Sequence, residues 1–281
     1  MQDETIQQLR ERLQPFSPHL QVVLNGIVAS FGETTNSLRF PNTGNGLREL
    51  LRELFYEMAP DHFIKDCKWF EPDPNSKCGI TRKHRAMFAV YSYLEPAEFP
   101  TTFVTTVDDL SRNIGDNVAR LNKFTHFTKD SLETSEEEAT SVFTETLGLF
   151  HQLFKAITSA REHVREELES ILCLDLAVLF TSEFFEELDT LSTHTRPQDA
   201  ENIRVQVRDI RKEVIQFSGT GSLTCDLQYG SDGDCRRGDG LEFTDSFLFT
   251  FTGQAQIDDP QKVKINPADI KIDTSSFWFD R

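Results

Sequence analysis

The chain is short of positive charge, with 29 Lys and Arg against 46 Asp and Glu, a formal net charge of −17 over 281 residues. Such a field repels nucleic acid at long range, so any nucleic-acid contact has to be local, through basic side chains that stand out from the acidic background. Long apolar runs are missing as well. Residues Met1 to Pro15 are polar and charged, with no basic stretch leading into an apolar one, so neither a signal peptide nor a transmembrane span is readable and a cytoplasmic, membrane-free protein is expected. The five cysteines (Cys67, Cys78, Cys173, Cys225, Cys235) are odd in number and lack the paired short spacings of a zinc site, which points to reduced thiols and no bound metal. No Gly-rich phosphate loop, G-x-S-x-G elbow or H-E-x-x-H pair occurs, which disfavours the familiar nucleotide-binding and hydrolase folds, and no cofactor is implied.

What is abundant is large apolar material. Hydrophobic residues make up 38% of the chain and phenylalanine alone contributes 24, enough for one large core or two ordinary ones. Apolar residues recur at helical spacing from Ile6 to Leu13, from Leu20 to Phe31, from Leu47 to about Met58, from Thr81 to Leu94 and from Val107 to Leu121, with a Pro/Asn/Gly connector expected at Pro41 to Gly46. The clearest helix follows Thr134 and Ser135, with apolar positions three to four apart from Phe143 to Ile171, and Phe180 to Leu191 continues helical. Between Lys129 and Thr190 stand fifteen Asp and Glu against four Lys and Arg, which reads either as a solvated helix surface or as an acidic face for a partner. From Thr193 the period switches to two. Ile203 to Val207, Val214 to Phe217, Ser222 to Leu227, Phe243 to Ile257 and Ile270 to Phe279 read as about five antiparallel strands. The expected class is α+β: an all-α domain over 1–192, a small antiparallel β-rich domain over 200–281, and the boundary at Thr193 to Ala200.

Three stretches are candidates for chemistry. In Arg120-Leu-Asn-Lys-Phe-Thr-His126 an arginine and a histidine can cleave RNA without metal: the imidazole of His126 moves a proton at the 2′-hydroxyl or the leaving oxygen, and the Arg120 guanidinium stabilises the phosphorane. Lys123 can assist and Asn122 can orient phosphate or ring. Positions six apart are about 240° out of phase on an α-helix, so Arg120 and His126 meet only if the helix breaks between them; otherwise the pair fixes a helix bend. The segment Lys65 to Arg85 is the basic patch, with Trp69 for base stacking and Arg82, Lys83 and Arg85 for phosphates, or else Trp69 and Phe70 plug the helical core and the cations pair with nearby acids. The third is Gly230 to Gly240, rich in Asp and Gly, with Asp226, Glu242 and Asp245 close by; it reads as a tight turn or as carboxylates for a divalent ion in a DNA nuclease.

The stretches Met58-Ala-Pro-Asp61, Trp69-Phe-Glu-Pro-Asp73, Thr81-Arg-Lys-His-Arg85, Leu121-Asn-Lys-Phe-Thr-His126, Leu227-Gln-Tyr-Gly-Ser-Asp232 through Asp239-Gly240, and Asp273-Thr-Ser-Ser-Phe277 resemble a bacterial family of predicted nucleases associated with prokaryotic PIWI systems, found among anti-phage and other conflict genes. The helical part is also similar to the HEPN ribonucleases, marked by an arginine followed four to six residues later by a histidine, with the active site completed across a dimer. Arg120 and His126 fit the long end of that spacing, whereas Leu121 stands where those enzymes often carry a polar residue. The resemblance implies a ribonuclease-like effector, a homodimer, RNA as substrate and a protein partner from the same defence operon. A non-catalytic adaptor is the alternative of a different class.

Overall fold

The computed structural model describes residues 2–124 and 128–279. The chain is α+β, helical through its first 190 or so residues and then folded as an antiparallel five-stranded sheet. Two compact units divide it at residues 160 and 161, within one long helix, and the change from helix to strand comes at His194.

The first unit opens with α1 (Gln2–Leu13), α2 (Pro18–Gly32) and α3 (Arg39–Met58). α2 starts on Ser17, whose hydroxyl accepts from the His19 amide, with Pro18 in the first turn. α3 begins eight residues before the expected Leu47, through the stretch Pro41 to Gly46 that its composition marks as a connector. Pro41 lies in the first turn, where its missing N–H would have no helical partner. The glycines serve packing: a Cβ on Gly44 would sit 2.5 Å from the Phe124 ring, and one on Gly46 2.6 Å from Ile27.

There follow α4 (Asp61–Lys65), α5 (Arg82–Tyr91), α6 (Thr101–Leu121), α7 (Lys129–Leu132) and α8 (Glu136–Ser182). α6 begins six residues before Val107; the Thr105 and Thr106 hydroxyls donate to the carbonyls of Thr101 and Thr102, which lets a threonine-rich turn stay helical. Leu24, Leu47, Leu54, Phe55, Leu121 and Phe143 fill the core, and the Phe31 and Phe143 rings stack at 4.2 Å.

The second unit holds the rest of α8, the short α9 (Glu186–Asp189) and the strands β1 (His194–Ile210), β2 (Val214–Tyr229), β3 (Leu241–Gln256), β4 (Asp259–Ile265) and β5 (Lys271–Asp273), with α10 (Asp232–Arg237) between β2 and β3 and α11 (Ser275–Phe279) last. The sheet order is β1-β2-β3-β4, and β5 also pairs with β3. Val214 to Phe217 and Ser222 to Leu227, separate runs by pattern, form one strand because Gly219 and Gly221 face Phe251 and Phe249 of β3, whose rings occupy the space a side chain would need. Odd-numbered residues of β2 and β3 make the core face, where Phe249 meets Phe180 of α8 at 4.8 Å. Glu169 of α8 accepts from the Val205 amide. Among the described residues no helix is long and apolar enough to cross a membrane.

Candidate functional site

The α-helix carrying Arg120 stops at Leu121, and Asn122–Phe124 continue as one 3-10 turn. Leu121 and Phe124 anchor this break in the core. The 100° step of the α-helix therefore no longer relates Arg120 to the residues that follow, which is the condition for a meeting with position 126. Arg120 and Asn122 are exposed and Lys123 is half-buried. Arg120 pairs with Glu145, and Lys123 Nζ lies 2.9 Å from Glu138 Oε1, both glutamates belonging to the start of α8. One turn inward, fully buried Asn117 accepts from the Thr146 hydroxyl at 3.1 Å, tying α6 to α8. The structure thus brings Arg120, Asn122 and Lys123 to one helix end, and His126 lies outside the described residues.

The basic segment is divided among different tasks. Trp69 packs on the cluster of Ala59, Ile64, Cys67, Ile80 and Phe88, and its indole N–H donates to the Ser92 carbonyl at 3.4 Å. Arg85 is buried: its guanidinium donates to the Ala59 carbonyl and to Asp61, and covers the Tyr56 ring at 4.1 Å. Lys83 pairs with Asp108 at 3.0 Å. His84 caps α5 together with Thr81, its Nδ1 accepting from the Thr81 amide, and burial pulls its pKa below the usual histidine value. Of the three candidate cations Arg82 is the one without an ion pair among the described residues; its surface is exposed, yet the protein around its stem desolvates the guanidinium and this, followed by the nearby Arg48, lowers its pKa.

The Asp-Gly stretch is a turn built around α10. Ser231 and Asp234 form its capping box, and Gly238 closes it with φ of 82°, a left-handed conformation that suits glycine. Among the described residues no group of three or more His, Cys, Asp or Glu side chains stands close enough to share a metal ion. Beside this turn, on the outer face of the sheet, a cleft of about 280 Å³ is lined by His194, Arg196, Asp226, Gln228 and Glu242. Asp226 accepts from Gln198 and Thr244, and Gln228 donates to Asp232, whose carboxyl is held below its usual range first by that hydrogen bond and then by Arg196. His194 is not legible as a site residue in the sequence, because its neighbours in the cleft come from three strands and no single segment brings them together.

Two family models match the chain, both described as predicted pPIWI-associating nuclease, one over residues 13–150 and the other over residues 157–278. No curated protein and no solved structure matches. The interval between the two matched stretches lies next to the division of the compact units at residues 160 and 161.

Proposed function

The chain belongs to the predicted pPIWI-associating nucleases, and from that premise we propose that it cleaves RNA without a metal ion, with Arg120 and His126 as the reacting pair. In this reading the 2′-hydroxyl loses its proton and its oxygen bonds to phosphorus. The P–O5′ bond breaks and the leaving 5′-oxygen takes up a proton, leaving a 2′,3′-cyclic phosphate and a 5′-hydroxyl. His126 moves the proton at one of these two oxygens, the Arg120 guanidinium carries the charge that builds on the phosphorane, and Asn122 and Lys123 hold the phosphate.

The observation that carries this reading is the end of α6 at Leu121, which frees Arg120 from the helical phase that would keep it from position 126. The Arg120–Glu145 pair supports it too: with both side chains more than two-fifths exposed, the pair contributes at most about 1 kcal/mol, so a phosphate can displace the carboxylate at small cost. The likeness of the helical part to HEPN ribonucleases adds a homodimer that completes the site, and the family adds a role in bacterial defence with a protein partner from the same operon.

The adaptor reading has its own observation, since Glu145 and Glu138 already neutralise Arg120 and Lys123. Substitution separates the two. His126→Ala and Arg120→Ala should each lower RNA cleavage by about 10² to 10⁴-fold while the melting temperature stays near that of the wild type. A His126→Ala protein that melts early yet cleaves at the normal rate per folded molecule contradicts the catalytic assignment.

A further inference from the structure

The middle of the outer face of β2 and β3 differs from the rest of this acidic chain. Outer positions of β2 from Gln216 to Thr224, and those of β3 from Ser246 to Gln254, are Ser, Thr or Gln throughout except for Leu248, and the antiparallel register sets them side by side. The result is a two-strand ribbon of hydroxyls and amides about 27 Å long, uncharged along its middle. At one end the ribbon sinks into a groove of about 510 Å³, with Arg208 on one flank, Lys264 on the other, and Ser218 and Thr252 between them. Asp269 is the single carboxylate among the residues lining it.

The cations of this groove are not spent. Neighbouring Arg211 and Lys262 pair with Asp209 and Asp259. Arg208 instead donates to the Ser218 hydroxyl at 2.8 Å, and neither Arg208 nor Lys264 has an ion pair among the described residues. Lys271, opposite Thr250, adds a third cation at this end of the ribbon, whereas the far end is flanked by acids, Asp273 opposite Leu248 and Glu201 opposite Ser222. Two to three unpaired cations flanking neutral donors and acceptors make a local target for a polyanion on a chain whose total charge repels one.

We propose that this face binds single-stranded RNA, Arg208 and Lys264 contacting phosphates while the Ser, Thr and Gln ribbon meets ribose hydroxyls. Charge complementarity chooses a phosphodiester chain. A duplex would meet this face only across its shallow minor groove with its bases stacked out of reach, whereas an unpaired strand can also lay a base against the face, and side chains that both donate and accept match the 2′-hydroxyl that distinguishes ribose from deoxyribose. Exposed Leu248 offers an apolar surface to a base. This goes beyond the Arg120 and His126 reading and uses none of its residues.

The test is fluorescence polarisation of the full chain with a labelled oligouridylate and with its deoxy counterpart, between about 50 and 200 mM salt. It is run on the wild type, on Arg208→Glu/Lys264→Glu, and on the milder Arg208→Gln/Lys264→Gln. The charge reversal should weaken RNA binding at least about tenfold. The neutral pair should lower the slope of log affinity against log salt by about 1.4, two contacts at about 0.7 each. Both variants should melt close to the wild type, since the two side chains are exposed, neither has an ion pair among the described residues, and the one bond lost is a surface contact of Arg208 with Ser218. Unchanged affinity and slope would overturn the proposal, and equal affinity for the deoxy strand would overturn its RNA assignment. Repeating the titrations in Arg120→Ala separates the two readings: failure of the catalytic one leaves these affinities where they are.

Discussion

The candidate anion-binding cations of the two units differ in what their neighbours leave them. In residues 1–160 the conspicuous cations are clamped: Arg85 on Asp61 and a carbonyl, Lys83 on Asp108, Arg120 on Glu145 and Lys123 on Glu138. In residues 161–281 Arg208 and Lys264 look across a groove of neutral polar side chains with a single carboxylate. A run of Lys and Arg in the sequence therefore does not locate an anion site. What decides is whether an acid reaches each cation once the chain is folded, and in this protein Lys83 and Arg85 of the dense basic segment are taken up that way while Arg208 and Lys264, isolated on strands, keep their charge.

The contrast between the two faces of the sheet is open to the largest effect. Phe249→Ala removes a fully buried ring packed on Phe180 and should cost about 3 to 5 kcal/mol, whereas Leu248→Ser, one residue away on the outer face, should stay within about 0.5 kcal/mol; urea unfolding measures both. Equal losses would break the assignment of faces on which the RNA surface depends. A smaller effect sharpens the contrast between buried and surface cations. Arg85→Ala leaves the Ala59 carbonyl without its partner and should lower stability by about 2 to 3 kcal/mol, against less than about 1 kcal/mol for Lys83→Ala, whose partner Asp108 is solvated. If the two cost the same in thermal melts, Arg85 is a surface cation like Lys83 and the basic segment is freer than described.

Much of the fold is legible in the pattern of apolar residues. α6 ends at Leu121 as periodicity requires, and the switch to period two near Thr193 meets the start of β1 at His194. Local composition misleads where tertiary packing overrides it. Gly44 and Gly46 look like a connector but make room for Phe124 and Ile27, Gly219 and Gly221 look like a strand break but make room for Phe251 and Phe249, and β4, with Pro260 and alternating lysines, carries too little apolar signal to read. The same holds for the sites. Arg120, Asn122 and Lys123 are neighbours in the chain and can be read together from it, whereas the cleft at His194 and the groove at Arg208 and Lys264 are each assembled from several strands whose register no single segment specifies.

The comparison comes to rest on whether the clamped cations of the first unit still do chemistry. Incubating the purified chain with end-labelled RNA in excess EDTA and identifying the product ends tests this most directly. The account predicts cleavage that chelation does not slow, leaving 2′,3′-cyclic phosphate and 5′-hydroxyl ends, because the proton transfer and charge stabilisation are assigned to His126 and Arg120. Cleavage abolished by EDTA and restored by a divalent ion, or products ending in 5′-phosphate, would contradict it.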